Sequence, residues 1–359
     1  MKPFYTQAPP AELRLGAVSF LAPWEDVFED KASINYGMFD GWKTSGKNVY
    51  RRTDQPQEAD FHVLYSGWRQ CNSIPEGARF AQQQVELARQ HGKKILIWCE
   101  DDLTDRIDWP ANAIALRHAI SRSTRHPCEV APPIHHRDIQ TEGADYLEGI
   151  RSDDSISFCG HAPPLRTPWG RQRIKDTIKL ALYATKLSHS DKLGQVTRAY
   201  AILAFSRQQK VRTNFLLREA FAFNKWGVLE PGGSAESARV QRREFVQNMA
   251  ASEYALCVRG IANCSIRLYE AMCMGRIPVV LDTDMVFPAE SLIPWHECCV
   301  VIDEADVHRA ADKLRAYTRS TPSQVRAEQG MFNRSAWEKY LSVEGFFENG
   351  VQAALAERA

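Results

Sequence analysis

The sequence is poor in most of the features that assign a protein quickly. No run of about 18 apolar residues occurs, so no membrane-spanning helix is expected. Lys and Arg number 45 against 44 Asp and Glu, a net charge of +1, which leaves no global field to attract nucleic acid. The 9 cysteines include no CxxC pair, and Cys298 and Cys299 are adjacent; this spacing argues against a zinc site and a disulfide framework, and favours reduced, buried thiols. Cys257, Cys264 and Cys273 are read as small buried fillers. No G-x-G-x-x-G follows an expected strand, which disfavours a dehydrogenase. The opening stretch MKPFYTQAPPAELRLG lacks the apolar core of a signal peptide, so a cytosolic chain is expected. No fixed-period repeat or low-complexity tract is visible.

What is present is an α/β pattern in two halves, and 359 residues suffice for two domains. Residues 1–58 are loop-rich, with GAVSFLAPW read as a strand and turn. FHVLY (61–65) is a strand, Ala78, Ala81, Val85 and Ala88 lie at helical spacing, Gly92 ends that helix, and KILIWCEDD is the next strand. Strand, helix, glycine, strand is a βαβ unit. Prolines and charges over 127–154 read as a connection. The second half opens with the strand SISFCGH (155–161), a proline-rich turn and a helix from about Arg171 to Leu187. PGGSAESARVQ reads as a flexible loop and RREFVQNMAAS as a helix. The expected domains are 1–150 and 151–330, with 331–359 returning to the first.

The most informative stretch is Ser252 to Asp284. It reads as strand, Arg259-Gly260 turn, short helix capped by Asn263 or Ser265, Gly275 at the helix end, strand Ile277–Leu281, then Asp282 and Asp284. A helix opening just after the carboxyl end of a parallel strand is an anion site. Arg267 in its first turn offers a fork that matches phosphate oxygens, and Glu270 one turn later suits a ribose diol. The competing account is that Arg267 and Glu270, three residues apart, simply pair with each other.

The ordered run REFVQNMAASEYALCVRG, IANCS, IRLYEAMCMGRIPVVLDTD and MVFP, with LIPWHECCVVIDEADV, resembles the exostosin family of glycosyltransferases, most clearly over about 242–320. VRTNFLLREAF is similar to the segment preceding this region in bacterial members. The resemblance implies a GT-B architecture, two Rossmann-like domains facing across a cleft. It also implies inverting, metal-independent transfer of a hexosyl or pentosyl unit from a nucleotide sugar, UDP-linked, with no cofactor. Arg267 would then contact the diphosphate and Glu270 the ribose. Arg259, Gly260 and Ser265 would shape the phosphate loop, and Asp282 and Asp284 would lie near the donor sugar. A bacterial enzyme extending a surface polysaccharide or lipopolysaccharide at the inner leaflet is the resulting expectation.

Inverting transfer also needs a base for the acceptor hydroxyl, stabilisation of the leaving diphosphate, and alignment. Glu100, Asp101 and Asp102, at the carboxyl end of an expected strand, are the base candidates, with Asp138 and His161 as outsiders. Arg166, Arg171, Arg173, Arg212 and Arg218 are candidate phosphate contacts, each equally readable as a solvated residue. His135-His136 reads as an exposed loop, and Trp68, Trp169, Trp226 and Trp295 as packing or sugar-stacking residues. A nucleotide-sugar epimerase and an inactive nucleotide-sugar-binding subunit are the alternatives.

Overall fold

The computed structural model describes residues 1–147, 153–166, 168–187, 190–208, 210–219 and 235–357. Two parallel sheets organise them. The first contains β1 (Lys2–Tyr5), β2 (Tyr50–Arg52), β3 (Phe61–Val63), β4 (Ile95–Cys99), β5 (Ala113–Arg117) and β6 (Glu129–Val130), ordered β2-β1-β3-β4-β5-β6. The second contains β7 (Asp153–His161), β8 (Thr213–Arg218), β9 (Ser252–Cys257), β10 (Ile277–Asp282) and β11 (Val300–Asp303), ordered β8-β7-β9-β10-β11. Both repeat one plan. The chain lays its second strand on one side of the first, then crosses back and builds outward on the other. Each sheet therefore has a topological switch point, β1/β3 and β7/β9, where open α/β sheets bind ligands. This is an α/β architecture of two parallel sheets, each with its own core.

The strands are apolar because both faces are covered. Along β4 the period of two sends Leu96 and Trp98 to a cluster with Phe4, Phe20, Trp42 and Phe61, while Ile95, Ile97 and Cys99 join Phe80, Ala81 and Ala88 of helix α2 (Pro75–Gln90) on the other face; Trp42 comes from helix α1 (Asp40–Val49). Helices α3 (Arg171–Ala184), α4 (Ser190–Gln208), α5 (Ala235–Ala250) and α6 (Ile266–Cys273) belong to the second half. Here Tyr254, Leu256, Val279 and Leu281 face Ala201, Ile202 and Phe205 of α4, whereas Ala255, Cys257 and Val280 face Leu268 and Met272 of α6. Gly275 ends α6 at φ +63°, the left-handed conformation its place after a helix demands.

The chain then returns. Helix α7 (Ser323–Ala336) is fixed to the second half by the fully buried Asn333, which donates to the Arg276 and Cys298 carbonyls at 3.0 and 2.9 Å. Beyond it Phe346, Phe347 and Val351 sit in the aromatic core of the first sheet, where Tyr50 Oη donates to the Phe347 carbonyl at 2.8 Å.

Three local expectations need correction. GAVSFLAPW forms no strand; Ser19–Leu21 is a 3-10 turn that delivers Phe20 and Leu21 into the core. Of PGGSAESARVQ, residues 235–241 are the first turns of α5, and the preceding four lie outside the described residues. His135 and His136 are not an exposed loop. His136 is 5% exposed and stacks on Trp337, and His135 meets the rings of Phe346 and Phe347, so burial holds both well below the ordinary histidine range.

Candidate functional site

The β7/β9 switch point collects arginine. Arg267, in the first turn of α6, reaches back across β7; its Nη2 donates to the Cys159 carbonyl at 2.6 Å and its guanidinium lies 4.3 Å from the Phe158 ring centroid. Arg259 follows β9, is 4% exposed, and donates to the Ile261 carbonyl at 2.9 Å, which curls the Gly260 loop. A third arginine, Arg198 of α4, donates to the His161 carbonyl at 3.0 Å and to the Arg259 carbonyl at 3.3 Å, so it ties together the loops leaving both central strands. Its Nε is buried with no hydrogen-bond partner. Among the described residues neither Arg198 nor Arg267 has a carboxylate partner. Burial, then the like charge of Arg267, pushes the Arg198 guanidinium down to about 9. A guanidinium in a protein stays charged, so the site holds buried positive charge. Gly194, on the same helix, lets α4 approach: a Cβ there would stand 2.0 Å from the Gly260 carbonyl oxygen.

Ser265 precedes α6 with extended backbone and makes no side-chain capping bond. The helix therefore presents its first N–H groups beside the arginines, a combination suited to phosphate. Glu270 does not pair with Arg267. It is 6% exposed and faces Arg242, with Nη1 3.7 Å from its Oε1, while the same arginine holds Glu142 through two bonds of 3.1 and 2.9 Å. Glu270 thus lies inside the fold beside an arginine, one turn beyond the N-terminus of α6.

The remaining candidates separate clearly. Asp282 and Asp284 are engaged by the first domain. Arg122 Nη2 donates to Asp282 at 2.8 Å, and Ser123 Oγ donates to Asp284 at 2.6 Å. Asn263 joins the same contact by donating to the Ile120 and Asp284 carbonyls. These acids clamp the domains together, a role their sequence position did not disclose. Arg212 is at the wrong end of β8 for the switch point, 70% exposed and 3.0 Å from Asp153. Arg218 is at the right end, but Glu244 holds it at 2.9 Å and it donates to the Gln241 carbonyl. His161 ends β7, with its ring Nδ1 3.2 Å from the Arg218 carbonyl. Arg166 and Arg171 are exposed, and the Arg173 guanidinium lies over Trp169 at 4.3 Å.

On the opposing wall, Asp101 is bound by Arg69 Nε at 2.6 Å. Burial works to raise its pKa, but the Arg69 hydrogen bond and charge outweigh it and hold the carboxyl below its usual range. Asp138 is likewise held low against burial by a two-pronged Arg334 contact at 2.6 and 2.8 Å. Both are poor bases. Glu100 is exposed. Asp102 is exposed too; the Cys264 thiol is pushed up to about 12, first by burial and next by the Asp102 charge, with Arg259 opposing. Of the tryptophans, Trp295 is core, donating to the Pro288 carbonyl and stacking on Phe287; Trp68 packs on Trp109; Trp169 is exposed; Trp226 lies outside the described residues. All 9 cysteines are free thiols. Among the described residues no cluster of acids, histidines and cysteines has a metal-binding arrangement.

Arg198 was missed at the sequence level. Its only signal is an arginine on the helix before β8, and nothing in the local pattern points that helix at the Gly260 loop.

Comparison with known proteins finds likeness to glycosyltransferases over part of the chain. Residues 175–317 match the exostosin GT47 domain. A probable glucuronosyltransferase of Oryza sativa subsp. japonica is 43% identical over 65 residues, 18% of this chain and 15% of that one. A probable β-1,4-xylosyltransferase of Arabidopsis thaliana is 40% identical over 63 residues, again 18% and 15%. The chain thus spans less than a fifth of the length of these relatives. Among solved structures, a glycosyltransferase from Rickettsia africae aligns over 93% of this chain and 85% of its own at 8% identity and a TM-score of 0.36. WaaG, a glycosyltransferase involved in lipopolysaccharide biosynthesis, aligns over 99% and 98% at 11% identity and a TM-score of 0.34. Over residues 175–317, then, the chain is similar to the exostosin GT47 domain.

Proposed function

We propose that this protein is a glycosyltransferase that moves a sugar with inversion from a nucleotide donor, uridine-linked, to a growing glycan. The observation that carries the proposal is the pair Arg198 and Arg267 at the β7/β9 switch point, two cations without an acid partner among the described residues, beside the Gly260 loop and the N-terminus of α6. A donor diphosphate supplies the missing anion, and as the bond to the sugar breaks the arginines stabilise the growing charge on the leaving group. They supply that charge from the protein itself, so the proposed transfer requires no bound metal. Glu270 holds the ribose. Asp102, from the other domain, takes the acceptor proton.

The acceptor is proposed to be a bacterial surface polysaccharide or lipopolysaccharide, reached from the cytosolic side of a membrane; the likeness of VRTNFLLREAF to bacterial family members supports this. Calorimetry with UDP and GDP, followed by a screen of UDP-sugars for hydrolysis and transfer, tests the reading. UDP binding with turnover of one UDP-sugar is expected. Failure of both nucleotides to bind overturns the donor site. Binding without turnover of any donor identifies a non-catalytic binding subunit, and interconversion of free UDP-sugars an epimerase.

A further inference from the structure

Helix α3 is built inside out. Its inward side carries Asp176, 6% exposed and hydrogen-bonded by Gln172 at 2.9 Å, and Tyr183, whose hydroxyl donates to Glu304 at 2.7 Å. Its outward side carries Ile174, Ile178 and Leu182 at four-residue spacing, 54%, 55% and 39% exposed, in one line. Trp169 before the helix and Leu187 after it extend the line, 83% and 76% exposed. Arg171, Lys175, Lys179 and Lys186, all exposed, flank it. Between Arg166 and Leu187 the only acid is Asp176, 6% exposed, with its Oδ1 3.8 Å from Lys179 Nζ, so the other three cations of the rim have no acid within this stretch to pair with.

We propose that α3 is a docking surface for an anionic lipid bilayer. The helix would lie flat, with its apolar line at the headgroup–acyl boundary and its cations on lipid phosphates. Charge decides the occupant. A second copy of this chain would bring two basic rims face to face, whereas an anionic membrane matches both the apolar line and its rim. No described helix is long and apolar enough to cross a membrane, so the contact is peripheral. Because α3 follows the loop leaving β7, docking sets the mouth of the arginine pocket beside the bilayer. This extends the reading of a membrane-side acceptor, but binding to lipid does not depend on catalysis or on the donor site.

The test is co-sedimentation of the full chain with phosphatidylcholine vesicles with and without phosphatidylglycerol. Binding to the anionic vesicles, weakened by salt, is expected. Both Ile174→Glu/Ile178→Glu and Lys175→Glu/Lys179→Glu should lower the partition at least about tenfold, with circular dichroism and thermal unfolding unchanged. Absence of wild-type binding, or binding retained by both variants, overturns the proposal. So does a wild-type dimer in light scattering that ignores vesicles and that Ile174→Glu/Ile178→Glu converts to monomer, which makes the face a protein interface. Loss of vesicle binding in a variant that still binds UDP separates this surface from the donor site.

Discussion

Arg267→Ala tests the donor site most directly. In the unliganded fold Arg267 makes one hydrogen bond, to the Cys159 carbonyl, and rests on the Phe158 ring, while its charge opposes that of Arg198. Its removal gives up about 1 kcal/mol of net hydrogen bonding and a similar cation–π contribution, and relief of the Arg198 repulsion offsets part of that. Apo stability should therefore fall by no more than about 2 kcal/mol, or a few degrees in Tm. Against a bound diphosphate the same guanidinium makes charge-assisted bonds worth about 1.5–3 kcal/mol, so UDP affinity should drop about 10- to 150-fold. Titration calorimetry with UDP, paired with thermal unfolding of the apo protein, separates the two effects. A UDP Kd within about threefold of wild type, in a folded variant, refutes the assignment of this arginine to the diphosphate.

Asp102→Asn should lower turnover by about 10²- to 10⁴-fold with UDP affinity unchanged, while Glu100→Gln leaves both intact; steady-state kinetics on the identified donor check this. Gly194→Ala forces α4 away from the Gly260 carbonyl, so weaker UDP binding and a lower Tm are expected together, in contrast to Arg267→Ala. Stability should fall as the medium is acidified below about pH 6.5. The folded pKa of His135 is pushed down to about 3 by burial, with His118 and His136 adding to the effect, so the unfolded chain binds the proton first and each such histidine removes up to about 1.4 kcal/mol per pH unit. His135→Gln should flatten the slope of denaturant-derived stability between about pH 6.5 and 4.5, and an unchanged slope would show that His135 is already charged in the fold.

The second half was more legible than the first, for physical reasons. Strands β9 and β10 are fully covered, so they appear in sequence as unbroken apolar runs, and a helix between them must end on a left-handed residue, which Gly275 announces. Strands β1, β2 and β6 have four, three and two residues, too short for any period to show. The arginine site divides the same way. Arg259 and Arg267 sit on the strand–turn–helix that builds the site, so local sequence order places them. Arg198 reaches it from a helix some 60 residues earlier, through carbonyls that no side-chain pattern records. Charge alone also misled. Asp101, Asp138 and Arg212 have the right residue types, but Arg69, Arg334 and Asp153 already hold them.

The acids after β10 change how the two domains must be viewed. Asp282 and Asp284, expected near the donor sugar, accept bonds from Arg122 and Ser123 of the first domain, and Asn263 bonds across the same seam to Ile120, while the Asp284 side chain stays 40% exposed. Asn263 lies within the Gly260–Ser265 loop and also accepts a hydrogen bond from Thr283 at 2.9 Å. The Gly260–Ser265 loop, the turn after β10 and the Ile120–Ser123 segment of the first domain are therefore one hydrogen-bonded unit. The 17%-exposed Asp282 side chain lies in that seam, and its pairing with Arg122 at 2.8 Å joins the turn after β10 to the first domain.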